Sequence, residues 1–123
     1  IRFDPKRAQW GEFLRIFFSV AHDPTQRDRQ GNDVGRQYRS AIFYAEPEEK
    51  RIAADYIAKL NGAKIFDTPI ATTLESLEKF YPAEAYHQDY ARLNPAQPYI
   101  RAISAPKVAK LRQHFPGKLK KKP

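Results

Sequence analysis

The chain of 123 residues has no cysteine. Within these residues that excludes a disulfide framework, a zinc knuckle and any thiol nucleophile. Long apolar runs are missing too. None approaches the roughly 18 residues that a membrane span needs, and no basic segment followed by a hydrophobic stretch opens the chain. Neither a membrane partner nor a secretory leader is therefore expected, and the expected location is the cytoplasm. The first residue is Ile1 rather than Met, which reads as a processed product or a fragment. Acidic residues are absent beyond residue 100, where eight Lys and Arg residues from Arg101 to Lys122 supply the whole net charge of +8. Residues 1–100 balance at 14 Lys+Arg against 14 Asp+Glu. A neutral body with a basic end, LKKKP, is more often a solvated terminus than a binding site, so no nucleic-acid partner is expected.

What is present suits one globular domain, with 41% hydrophobic and 13% aromatic residues. Residues 1–4 alternate apolar and polar before Pro5 and read as a strand end. From Ala8 onward, Trp10, Phe13, Leu14, Phe17, Val20 and Ala21 recur at helical spacing, an amphipathic helix that should cover a sheet. Residues 22–37, HDPTQRDRQGNDVGRQ, hold one substantial apolar side chain, Val34, and are broken by Pro24, Gly31 and Gly35. Structureless connections of about 12 to 15 residues or more are uncommon and often functional, so this loop is the first place to look for a site.

YRSAIFY, residues 38–44, is rich in aromatic and branched residues and reads as a strand. Pro47 and its neighbouring acids open a helix with Ile52, Ala53, Tyr56, Ile57 and Leu60 inside and Asn61 and Gly62 as its stop. Residues 69–75 alternate as a second strand. A short helix after Pro82 and irregular chain follow, then a last helix with Ser104 at its start and Val108, Leu111 and Phe115 inward. Helices and strands alternate without repeats, which predicts an α+β sandwich.

Three stretches together resemble the A-type peptide methionine sulfoxide reductases. They are FFSVAHDPTQRDRQGNDVGRQYRSAIFY at residues 17–44, FYPAEAYHQDY at residues 80–90, and FDP at residues 3–5. DPTQ, QGNDVG and QYRS within one loop are the most specific elements. The resemblance extends over residues 1–116, taken as a single domain, and leaves residues 117–123 as a basic tail. The fold expected is then an α+β two-layer sandwich, a ferredoxin-like core of a small mixed sheet with helices packed on it, ending in an irregular C-terminal region.

The resemblance implies reduction of the S epimer of methionine sulfoxide, in oxidised proteins or free, back to methionine. A cysteine thiolate attacks sulfur, an acid protonates the oxygen, and a second thiol resolves the sulfenic acid, with thioredoxin as external reductant and no bound cofactor. By motif match, Asp33 of DVG and Tyr38 of QYRS take the places of the family's active-site aspartate and tyrosine. Tyr38 is the expected donor to the sulfoxide oxygen, since a phenol with pKa near 10 stays protonated at neutral pH. The family's nucleophile, in a GCFWG-like segment, and its acid, in a GHAE-like segment, are absent from this sequence. The resemblance also implies a monomer with oxidised proteins as partners; the chain alone is expected to be inactive, because Ser and Tyr oxygens attack sulfur poorly.

The commoner roles of the same residues are structural. Asp33 and Tyr38 also suit an Asx turn and a strand start. His22 and His87 lack metal-ligand spacing, so backbone or aromatic contacts are the expected roles and no metal is expected. Tyr81, Tyr86 and His87 can line a pocket for the S-methyl group, though aromatic clusters are more often packing. Glu84 reads as a helix-start charge rather than an acid catalyst. Two rival readings are a cysteine-free relative kept for binding or interaction, and a module in which the basic tail holds nucleic acid or anionic surfaces.

Overall fold

The computed structural model describes residues 1–120. The chain divides into two compact units, Ile1–Phe80 and Tyr81–Pro123. The first carries the sheets. Its residues 1–4 are irregular rather than the expected strand and lead into a turn at residues 5–7, where Asp4 gathers the local N–H groups. Its carbonyl accepts from Arg7 and Ala8, and its carboxylate from Lys6. Helix α1, Trp10–Ile16, begins where Glu12 reaches back to the Gln9 N–H at 2.7 Å. It runs on into a π turn, Phe17–Ala21. Side chains engage the carbonyls there: the Ser19 hydroxyl donates to the Arg15 carbonyl, and the His22 ring sits 3.2 Å from the Phe17 carbonyl.

Strand β1, Arg29–Gln30, pairs antiparallel with β2, Asp33–Val34. Strand β3, Ala41–Tyr44, pairs in parallel with β4, Thr73–Ser76, placing Ile42 beside Leu74. Helix α2, Pro47–Gly62, makes the crossover between them. Glu49 closes its N-terminus by accepting the Ala45 and Glu46 N–H groups. The core of this unit is Leu14 and Phe18 of α1 and its continuation, Ile42 of β3 and Ala53 of α2. Phe18 stacks on Tyr56 with centroids 5.7 Å apart. The α+β class expected from the sequence is found, with helices against a parallel pair.

Both strands of that pair are shorter than their patterns predict, for one reason. Residues ahead of each strand give their backbone groups to other partners. The Tyr38 N–H closes a turn on Gly35, the Ile70 N–H donates to the Asn61 side chain at 2.9 Å, and the Ala71 N–H donates to the Pro24 carbonyl at 2.7 Å. Regular pairing begins only past these points.

The second unit has little buried surface. It contains a 3-10 turn, Ala85–His87, a short helix α3, Tyr90–Leu93, and α4, Ala105–His114, which continues a π turn, Ile100–Ser104. Ile100 is its buried residue. Ser104 is already helical and makes no side-chain cap, and Val108 is 46% exposed, so both depart from the sequence pattern. Leu111 and Phe115 are half-buried as expected. No helix of the described residues is long and apolar enough to cross a membrane. Lys121 and Lys122 of the basic tail lie outside the described residues.

Candidate functional site

The polar loop expected to be structureless is bound to itself at nearly every step. Asp23 starts it as an Asx-type turn, its carboxylate accepting from the Thr25 N–H at 3.0 Å and hydroxyl at 2.6 Å. Those two bonds, the hydroxyl's first, hold the Asp23 carboxyl below the usual range against a smaller opposing effect of desolvation. The Gln30 amide clamps the Asp23 backbone, accepting its N–H at 3.0 Å and donating to its carbonyl at 3.1 Å. Gln26 accepts the Gly31 N–H at 2.7 Å, and Arg29 donates twice to the Gly31 carbonyl. Gly31, at φ 59, makes the first turn residue of the β1–β2 hairpin, a left-handed position that glycine fills without strain. Pro24 is fully buried beneath.

Asp33 is the half-buried first residue of β2, opposite Gln30. Tyr38 ends the 3-10 turn Arg36–Tyr38 and is 42% exposed. Between them Gly35 adopts φ 142, ψ 161, a region essentially restricted to glycine, and a Cβ there would run into the Gln37 amide. The sharp redirection at Gly35 therefore sets where the Tyr38 ring leaves the loop. Both residues singled out from the sequence thus lie in one tightly bonded segment of the first unit. Tyr81, Tyr86 and His87 lie in the second unit, on its surface: the two tyrosines are 75% and 70% exposed. Tyr86 and His87 pack ring on ring with centroids 4.3 Å apart, and His87 Nε2 lies 3.6 Å from the Glu84 carboxylate.

Two arrangements under the loop were not singled out from the sequence. Buried Ser40 lies between His22 Nε2 at 2.6 Å and the Thr72 hydroxyl at 2.7 Å. The Phe17 carbonyl can only accept, so His22 Nδ1 carries a proton. In the neutral ring Nε2 then accepts from Ser40, which accepts from Thr72. The helix-end contact expected of His22 is present, with this relay added. The second is a two-pronged ion pair. Arg39 Nε and Nη2 each donate to Glu75 at 2.9 Å, and the Thr73 hydroxyl adds a third bond at 2.7 Å. These bonds, Arg39's foremost, hold the Glu75 carboxyl down at about 2. The signal for this pair was available only as an Arg and a Glu 36 positions apart. Among the described residues no group of three or more His, Cys, Asp or Glu is placed to hold a metal ion.

Both the sequence and the fold match one family of enzymes. The sequence model of peptide methionine sulfoxide reductase matches residues 1–119. A peptide methionine sulfoxide reductase of Synechocystis sp. is 52% identical over 98% of this chain, which covers 56% of that relative. One of Mesorhizobium japonicum is 50% identical over 100% of the chain and is covered over 63%. Among solved structures, reduced Mxr1 from Saccharomyces cerevisiae matches 76% of this chain and 50% of its own at TM-score 0.70 and 35% identity. Methionine sulfoxide reductase A of Corynebacterium diphtheriae matches 76% and 48% at TM-score 0.56 and 37% identity. The chain belongs to the peptide methionine sulfoxide reductase family. It spans 56% and 63% of the length of these two curated relatives.

Proposed function

We propose that the protein to which this chain belongs reduces methionine-S-sulfoxide, free or in oxidised proteins, using thioredoxin as external reductant and no bound cofactor, as a monomer in the cytoplasm. The observation that carries the reading is the position of Tyr38. A phenol on a rigid turn, 42% exposed and engaged in no hydrogen bond among the described residues, is available to a ligand's oxygen. Sulfoxide oxygen gains negative charge as its bond to sulfur weakens, so a fixed neutral donor favours the transition state over the ground state. Asp33 would order water or neighbouring groups. The exposed rings of Tyr81, Tyr86 and His87 offer the second unit's surface for an apolar group such as an S-methyl.

The chain itself has no cysteine to attack sulfur, and we propose that it does not turn over alone. Residues 1–116 would act as one reductase domain, with β3 and β4 part of a larger ferredoxin-like mixed sheet in the whole protein. The test is Tyr38→Phe in the whole protein. Losing one donor to a developing oxyanion costs on the order of 10² in kcat. Folding stability should stay within about 0.5 kcal/mol, since the hydroxyl has no hydrogen-bond partner among the described residues to lose. Unchanged kcat in that variant rejects the role, and turnover by this cysteine-free chain with dithiothreitol rejects its inactivity.

A further inference from the structure

Beside the loop, a surface cavity of about 610 Å³ is lined by Arg27, Asp28, Arg36, Arg39, Thr73 and Glu75, with Pro69, Ile70 and Ala71 as its apolar wall. Three guanidinium groups face two carboxylates, so one positive charge is left over. The partnering is unequal. Arg39 and Thr73 give Glu75 three bonds, two of them to Oε2 and one to Oε1. Asp28 acts on Arg39 only through its charge. The exposed Arg27 and Arg36 guanidinium groups make no hydrogen bond or close ion pair among the described residues, Arg36 acting on Glu75 only through its charge.

We propose that this cavity is a carboxylate-binding subsite that takes an acidic side chain of an extended polypeptide, with Arg27 and Arg36 as its donors and the Arg39–Glu75 pair as its floor. A single excess charge matches a monoanion, whereas two resident carboxylates repel a phosphate dianion. The planar guanidinium fork fits a carboxylate with two parallel bonds. The Pro69–Ala71 wall suits the aliphatic stem of glutamate better than a bare inorganic ion. Arg36 opens the turn that Tyr38 closes, so an acidic residue held here would lie close along the chain to a group presented to Tyr38. That last placement rests on the sulfoxide reading, while the subsite does not.

The experiment titrates the 123-residue chain, observed by NMR at the arginine Nε–H groups, with four probes. Three are peptides of equal length: one with methionine sulfoxide and a nearby glutamate, one with glutamine in place of the glutamate, and one with the glutamate but norleucine in place of the sulfoxide. The fourth is inorganic phosphate. The glutamate peptide should bind about five- to tenfold more tightly than the glutamine peptide, the size of a charge-assisted pair discounted for exposure. It should shift Arg27 and Arg36, and the preference should vanish in an Arg27→Gln/Arg36→Gln variant and fade at high salt. Equal binding of glutamate and glutamine peptides, a preference that survives in the double variant, or phosphate binding as strong as the glutamate peptide's overturns the subsite. If the norleucine peptide binds through both arginines as well as the sulfoxide peptide does, the subsite stands and the sulfoxide reading loses its support.

Discussion

Ser40→Ala removes one oxygen and leaves two groups without it. Ser40 is 6% exposed, and its hydroxyl is 2.6 Å from His22 Nε2 and 2.7 Å from the Thr72 hydroxyl. Each net hydrogen bond contributes about 1 kcal/mol, and a buried group left unpaired costs about 1 to 3 kcal/mol. His22 is half-buried and regains part of this from water, so a loss of about 2 kcal/mol is expected, against about 1 kcal/mol for Thr72→Val, which breaks one bond. Because the two sites share a bond, the double variant should lose less than the sum of the singles. Urea unfolding of the four proteins of this cycle measures the coupling, and an ¹⁵N spectrum of the imidazole reads the Nδ1–H tautomer directly. A Ser40→Ala loss below about 0.5 kcal/mol, strict additivity, or an Nε2–H ring at neutral pH would refute the relay.

Other expectations concern separate parts of the first unit. Gly35→Ala should cost about 1 to 3 kcal/mol from backbone strain alone, seen as a lowered Tm, since φ there is 142. Phe18→Ala, at a position 4% exposed, should cost about 3 to 5 kcal/mol and is expected to unfold much of the chain by circular dichroism. Glu75 has a folded pKa lowered from 4.5 to about 2, so the stability it contributes is fully present above pH 4.5 and is lost as the pH falls through about 2. Wild type and Glu75→Gln should therefore differ by a constant amount at neutral pH and converge on acidification from 4.5 to 2, and a gap that instead opens on acidification contradicts the ion pair.

Much of this was legible from residue order. The buried face of α2 follows from spacing, and Ile52, Ala53, Tyr56, Ile57 and Leu60 all reach the core. The loop drew notice through its composition, and Asp33 and Tyr38 through motif match. What could not be read is what polar residues do for one another. Gln26, Gln30 and Arg29 look like solvated side chains in a list, yet each satisfies a backbone group within the loop. Strand starts were misplaced for the same reason: Asn61 and Pro24 claim backbone N–H groups that alternation assigns to a ladder. The second unit failed at Ser104 and Val108 because helical periodicity reports which faces are apolar, and not whether another element covers them.

The Gln30 clamp on Asp23 and the Ala71 bond to the Pro24 carbonyl join the start of the loop to its middle and to the sheet's approach. A segment stitched in this way has already surrendered its conformational freedom when the chain folds, so a visiting molecule meets a finished surface and need only give up its own disorder. Cutting one stitch, for instance with Gln30→Ala, should therefore weaken capture of the glutamate peptide, measured as a raised Kd, although Gln30 does not line the cavity.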